Sequence, residues 1–296
     1  MENPTRGIAL ILASSLLFSC SDVLAKYLGA ALPPVEIGWI RYATFVVFAL
    51  ALRARSSNIS LTVHNPIQQV IRGVMLVASS ILFIFAIRTM PLADAASVGF
   101  VSPLMITILS IPMLGEVVGI RRWTAVCVGF LGVLAIVRPG TGAFQPAALL
   151  VLASSLAWSF ATILTRKMAD SDHAATTMLW AGVTGLVLLS LLLPFDFVTP
   201  SLVQVALAVL LGLVATIGQY LMVLAYRHAG AALLAPFSYI QLIYATFFGW
   251  LVFHALPDEW TAVGAVIISA SGIYTVHRER LRARERAIQA REVLAV

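Results

Sequence analysis

Charge is scarce in this chain. Only 11% of its 296 residues are Asp, Glu, Lys or Arg, against about 25% in soluble domains, and so little charge excludes a water-soluble domain. Cysteine is nearly absent. Cys20 and Cys127 are the two, both lie inside apolar runs, and neither is placed for an extracytoplasmic disulfide. Histidine offers no metal or catalytic cluster, because His64, His173, His228, His254 and His277 fall in loops or at the ends of apolar runs. HExxH, GxSxG and nucleotide-binding glycine patterns are missing. Catalysis, a resident metal, a cofactor and direct coupling to ATP are therefore left without a motif. A cleavable signal peptide is also excluded, since Asp22 and Lys26 interrupt the first apolar run.

Long apolar runs are what the chain has instead. Hydrophobic residues make up 60% of it and the mean hydropathy is +0.97. A helix needs about 20 apolar residues to cross the hydrocarbon core, and ten such runs fall near residues 7–28, 35–52, 68–88, 92–114, 122–138, 146–167, 175–193, 202–224, 231–253 and 260–277. The stretch from Val46 to Leu52 is apolar on every side, and that from Leu186 to Leu193 is so apart from Ser190, which a membrane barrel strand with alternating faces would not be. The expected fold class is an all-α integral membrane protein of ten transmembrane helices.

The net charge of +6 finds its explanation in where the basic residues stand. With the N-terminus inside, Arg6, Arg53, Arg55, Arg72, Arg121, Arg122, Arg166, Lys167, Arg227 and the tail residues Arg278, Arg280, Arg282, Arg284, Arg286 and Arg291 flank cytoplasmic ends, and only Lys26, Arg41, Arg88 and Arg138 lie toward the other side. Fifteen of the 19 Lys and Arg residues thus follow the positive-inside rule. Both termini are expected in the cytoplasm, and the tail is read as an anchor on anionic lipid, with no nucleic-acid partner.

An internal repeat organises the chain. The octapeptide from Leu12 to Ser19 (LASSLLFS) recurs from Leu152 to Ser159 (LASSLAWS), an offset of 140 residues. The same offset pairs Leu24 with Leu164, Lys26 with Arg166 and Gly132 with Gly272, and an offset of 139 pairs Ala86 and Arg88 with Ala225 and Arg227. Expected boundaries are 1–140 for the first five-helix repeat, 141–277 for the second and 278–296 for the basic tail. Five spans is an odd number, so the two copies have inverted topology, the arrangement that lets a carrier open alternately to either side around a midplane site.

Together with this repeat, Ser102-Pro103-Leu104-Met105, Leu114-Gly115-Glu116, Arg122-Trp123, Gly129 with Gly132, and Arg138-Pro139 resemble the EamA branch of the drug/metabolite transporter superfamily over essentially the whole chain. Ser21, Asp22, Lys26 and Gly29 with Glu36 and Arg41, and Ala235, Pro236 and Tyr239 with Leu256-Pro257-Asp258 and Gly264, are similar to bacterial S-adenosylmethionine-type uptake transporters. Members of that branch are carriers of riboflavin, amino acids or amino-acid-derived metallophores. The resemblance implies a secondary transporter of the bacterial inner membrane, moving a small polar metabolite by import or export, without a cofactor. One departure stands out: the acidic residue of Leu114-Gly115-Glu116 has no counterpart in the second half, where the matching region runs from Phe253 to Pro257.

Polar residues inside the spans are the candidate site. Ser15, Ser19, Asp22 and Lys26 are spaced by four, three and four, which puts them along one helix face. Ser155, Ser159, Thr162 and Arg166 repeat that stripe. Counting outward from Ala31 sets Asp22 level with Arg41, and Lys26 level with Glu36. Asp22 and Arg41 are the expected contacts for a charged substrate or a proton, whereas Lys26, Glu36 and Glu116 read as gate or ion-pair residues and Asp94 as a helix cap. Pro103 and Pro236 should kink their helices and free carbonyls, with Ser102, Gln219, Tyr239 and Gln241 nearby. Trp158 is placed to stack on a planar or cationic group, while Trp123 and Trp260 fit an interfacial belt. The partners implied are a small-molecule substrate, the bilayer, and a proton or exchanged counter-substrate. A monomer suffices for a pathway, and a dimer is the alternative. Riboflavin transport is the second reading within the family, and a channel or structural membrane protein is the reading outside it.

Overall fold

The computed structural model describes residues 4–55, 62–115, 120–138, 145–168, 171–172, 174–228, 234, 237 and 239–274. The described residues form helices and connections, with no strand among them. In chain order the helices are α1 Pro4–Gly29, α2 Pro34–Arg55, α3 Pro66–Thr89, α4 Leu92–Gly99, α5 Ser102–Leu114, α6 Ile120–Val137, α7 Ala147–Lys167, α8 Ala174–Leu192, α9 Leu202–His228, α10 Ile240–Phe253 and α11 over 259–274. Seven stretches, counting the broken α4–α5 stretch as one, are long and apolar enough to cross a membrane, and two shorter apolar helices accompany them. The protein is an all-helical, multi-pass membrane protein.

Local sequence sets the helix limits. Pro66 occupies the first turn of α3, where its missing N–H costs nothing, and the Asn65 side chain accepts from the Gln68 N–H at 3.1 Å, as an N-cap does. Gly115 ends α5 in the left-handed conformation at φ 69°, the backbone glycine tolerates best. The most consequential boundary lies inside the 92–114 stretch. Pro103 has no N–H to give the carbonyl four residues back, and its ring clashes there. That carbonyl belongs to Gly99, and the helix stops at Gly99 and resumes at Ser102. The kink expected at Pro103 is thus a complete break between α4 and α5. Pro236 lies outside the described residues.

Packing pairs elements far apart in sequence. The most extensive contacts are α1 along α9 and α3 along α7, followed by α2 against α8 and α9, α3 against α8, and α5 against α7. The central core joins Leu28, Ile37, Ile84, Ile87, Val98 and Leu211. One end of the bundle carries the starts of α1, α3 and α8 and the ends of α2 and α7; it is called the N-terminal end below. The opposite end carries the α1–α2, α3–α4 and α10–α11 connections.

Small residues let α6 and α11 touch backbone to backbone. A Cβ on Gly264 would lie 2.5 Å from the Gly132 carbonyl oxygen, and one on Gly132 would lie 2.9 Å from the Gly264 oxygen. Ser271 adds a hydroxyl bond to the Ala125 carbonyl. Such close approach drives helix association in lipid. Gly264→Ala is expected to lower stability by about 1–3 kcal/mol, as overpacking does, read as a lower melting temperature in detergent. An unchanged melt would mean that α6 and α11 do not meet at these glycines.

Candidate functional site

The break between α4 and α5 is held from across the chain. The Gly99 carbonyl that Pro103 leaves free accepts from Ser102 Oγ at 2.6 Å and Ser155 Oγ at 3.4 Å. The Ser102 carbonyl accepts from Ser159 Oγ at 3.1 Å, and Ser159 also donates to Ser155 O at 2.6 Å. The serine stripe of α7 therefore reaches the break, as irregular backbone at membrane depth requires. Phe100, inside the break, stacks on Tyr239 with ring centroids 4.8 Å apart. Tyr239 in turn fills the space left by Gly272, where a Cβ would fall 1.5 Å from its hydroxyl. Trp158 is half-buried on α7, between the two bracing serines in sequence.

A polar group lies beside this break. Asp22 of α1 is partly accessible, is hydrogen-bonded by the Gln241 side chain of α10 and is within Coulombic reach of Arg41 of α2. Arg41 Nη1 donates to Ser80 Oγ of α3 at 3.1 Å. Four helices thus contribute to one charged cluster, and Gln241 stands two residues from Tyr239. Ser19 is buried on α1 with no partner for its hydroxyl among the described residues. Gln219 is half-buried on α9, next to Gly218, whose carbonyl accepts from Ser14 Oγ at 2.8 Å. The arrangement groups a carboxylate, a guanidinium and a primary amide, with an aromatic ring two residues from the amide.

Each end of the bundle has its own polar network. At the opposite end Lys26 Nζ donates to the Ile87 and Met90 carbonyls, each at 2.6 Å, where the end of α3 presents partial negative charge. It also lies 5.4 Å from the Phe253 ring centroid and within reach of Asp94. Arg138 pairs with Asp258, and the Asp258 carboxyl accepts from the Thr261 N–H at 2.7 Å. Burial pushes that carboxyl up, but Thr261 and Arg138 outweigh it and hold it below the usual range. At the N-terminal end Gln69 Nε2 donates to Asp172 Oδ2 at 2.6 Å and Thr177 Oγ1 at 3.1 Å, while Arg72 donates to Thr165 Oγ1 at 2.6 Å and to the Thr177 carbonyl at 3.0 Å. The His64 N–H completes the Asp172 carboxylate at 2.8 Å.

Three sequence expectations are corrected. Lys26 does not meet Glu36. Glu36 Oε2 accepts from the Val198 N–H at 3.2 Å, because equal depth on two helices leaves their facing directions free. Asp94 does stand in the first turn of α4, but it makes no capping bond; Pro91 holds the cap position, and Asp94 is buried in contact with the side chain of Thr261, near the start of α11. Arg72 is no flanking charge but a buried residue of α3. Gln69 and Asp172 were not foreseen, although Gln69 and Arg72, three apart on an apolar helix, were the available signal. Glu116 lies outside the described residues.

Comparison with known proteins decides the family. The model of the EamA-like transporter family matches the chain twice, over residues 5–138 and 145–276. The chain belongs to the EamA-like transporter family. This EamA-like transporter is 26% identical to an S-adenosylmethionine uptake transporter of Rickettsia prowazekii, over 93% of each chain. It is 27% identical to a riboflavin transporter of Rhizobium johnstonii, over 95% of this chain and 94% of the relative. A pseudopaline exporter of Pseudomonas aeruginosa is 28% identical, over 88% of this chain and 93% of the relative. A solved crystal structure superposes with a TM-score of 0.66 at 20% identity, over 94% of this chain and 99% of the other, a likeness of fold alone. The EamA-like transporter is therefore a small-molecule membrane transporter.

Proposed function

We propose that the chain is a ten-span secondary carrier of two inverted five-helix halves, with both termini on the cytoplasmic face of a bacterial inner membrane. The cargo is a small polar metabolite, an amino acid or an amino-acid-derived zwitterion or cation of the S-adenosylmethionine type. The observation that carries this reading is the meeting of Asp22, Arg41 and Gln241 from three helices at a partly accessible position. A carboxylate and a guanidinium side by side complement an ammonium and a carboxylate on one molecule. Ser19, Ser102, Trp158, Gln219 and Tyr239 complete the proposed surround.

The inverted arrangement is supported by the double family match and by the packing. Exchange of the two halves turns the contact of α1 with α9 into that of α7 with α3, and both are extensive. The orientation rests on the fourteen basic residues other than Arg72 that the sequence sets at cytoplasmic flanks. The names of the relatives point to cargo of this size and polarity, and they include both uptake and export.

Riboflavin is the second reading, favoured by the stacked pair Phe100–Tyr239 and by the riboflavin transporter among the relatives. Counterflow in proteoliposomes separates the two, with labelled S-adenosylmethionine, an amino-acid panel and riboflavin tested on wild type, Asp22→Asn and Trp158→Ala. Saturable counterflow of an amino-acid-derived compound, reduced about tenfold in Asp22→Asn, a loss of about 1.4 kcal/mol, is expected. Saturable riboflavin flux that is indifferent to Asp22 but lost in Trp158→Ala moves the assignment to the second reading. Conductance without saturation replaces the carrier by a channel.

A further inference from the structure

A groove of about 710 Å³ runs along the outside of the bundle between α2, α9 and the connection from α8 to α9. Its α2 wall is Glu36, Trp39, Ile40, Ala43, Thr44, Val47, Phe48 and Ala51, the spacing of a single helix face. From Glu36 to Ala51 that face is about 22 Å long at 1.5 Å per residue, longer than the roughly 15 Å that one leaflet contributes to the hydrocarbon core. The groove is thus as long as a lipid tail lying parallel to the helices.

Its lining is apolar apart from three side chains, and two of these are satisfied within the chain. Trp39 Nε1 donates to Ser190 Oγ at 2.8 Å, and Thr44 Oγ1 donates to the Ile40 carbonyl at 2.8 Å. Glu36 is the third. It is 2% exposed, and its Oε1 has no hydrogen-bond partner among the described residues. The groups acting on its carboxylate are the Val198 N–H and a second acid, Asp196. A buried carboxylate oxygen without a donor is costly, the more so when charged, and a neighbouring acid adds to the demand for a cation. That demand sits at the terminal, interfacial end of a tail-length apolar groove.

We propose that this groove holds a phospholipid with a primary-amine headgroup, its ammonium bonded to Glu36 Oε1 and one acyl chain lying along α2 and α9. A primary ammonium carries three donors as well as the charge. A choline headgroup has the charge without the donors, and a glycerol headgroup with its phosphate brings a net negative charge toward two acids. Headgroup selection is therefore the signature of the site. The proposal does not rest on the transported substrate, because no residue lining the groove belongs to the Asp22 cluster.

The test is native mass spectrometry of the full chain released from bilayers containing equal amounts of phosphatidylethanolamine, phosphatidylcholine and phosphatidylglycerol. Wild type should retain the ethanolamine lipid at least fivefold over either competitor. Glu36→Gln should reduce that ratio to about one while still retaining lipid, and Val209→Trp, which fills the groove, should lose the retained lipid. Thermal unfolding of wild type in bilayers of each lipid needs no variant, and should give the highest midpoint with the amine lipid. Equal retention of the three lipids by wild type overturns the proposal, as does a preference that survives Glu36→Gln. A lipid-free dimer assigns the groove to a second copy of the chain and also overturns it.

Discussion

Replacing Arg72 by leucine is expected to open the N-terminal end of the bundle. In Arg72→Leu the Thr165 hydroxyl and the Thr177 carbonyl lose charged donors at 2.6 and 3.0 Å, across the line where α3 meets α7 and α8. Hydrogen bonds to charged groups contribute about 1.5–3 kcal/mol each, and removing a buried charge returns part of that. A net loss of about 3 kcal/mol shifts the ratio of closed to open forms at that end about a hundredfold. The chain carries its own reporter. Cys20 and Cys127 are its free cysteines, and in a Cys127→Ser background Cys20, two residues from Asp22, is the single thiol. A membrane-impermeant thiol reagent added from the side of the N-terminal end should label Cys20 at least tenfold faster in Arg72→Leu. Equal acceleration from both sides would mean general loosening, and no acceleration would mean that the network is not a gate.

The mirror experiment is Lys26→Met, which keeps the stem but removes the ammonium. The Ile87 and Met90 carbonyls then lose donors at 2.6 Å, and Asp94 loses the cation beside it. The contact with the Phe253 ring, at 5.4 Å, disappears as well and adds about 0.5–2 kcal/mol. Faster labelling of Cys20 is now expected from the opposite side, again by about a hundredfold in population if the loss is near 3 kcal/mol. The two variants together should partly restore the wild-type balance, because each favours a different open form. If Lys26→Met accelerates labelling from the N-terminal side instead, the network at the opposite end does not close it.

Depth was readable from the sequence, and direction was not. The tight connection Ala30–Pro33 between α1 and α2 makes counting reliable, so Asp22 and Arg41 fall within reach as counted. The same count failed for Lys26 and Glu36, because the end of α3 lies over one and the Val198 connection over the other. Those neighbours come from distant parts of the chain, and no local spacing encodes them. The break at Gly99 was legible through Pro103, since the clash four residues back is a local rule. The identity of the hydroxyls that hold the break was only half legible: the Ser155 and Ser159 stripe marked a polar face, without naming its acceptor. Arg72 was hidden by a rule that works on average. Positive-inside counting treats every basic residue near a span end as a flank, and burial beside Thr165 and Thr177 is a tertiary outcome.

The serines that hold the α4–α5 break bear on what happens when the bundle is empty. The Gly99 and Ser102 carbonyls already have donors from Ser102, Ser155 and Ser159. A molecule bringing its own N–H or O–H to either oxygen must trade places with a hydroxyl that was there before it, and on leaving, the hydroxyl swings back. Little net hydrogen bonding changes hands in such a swap, so occupancy of these oxygens is close to neutral in free energy. Tight holding would have to come from the charged cluster at Asp22 and Arg41, and the break itself stays indifferent to which donor its carbonyls hold.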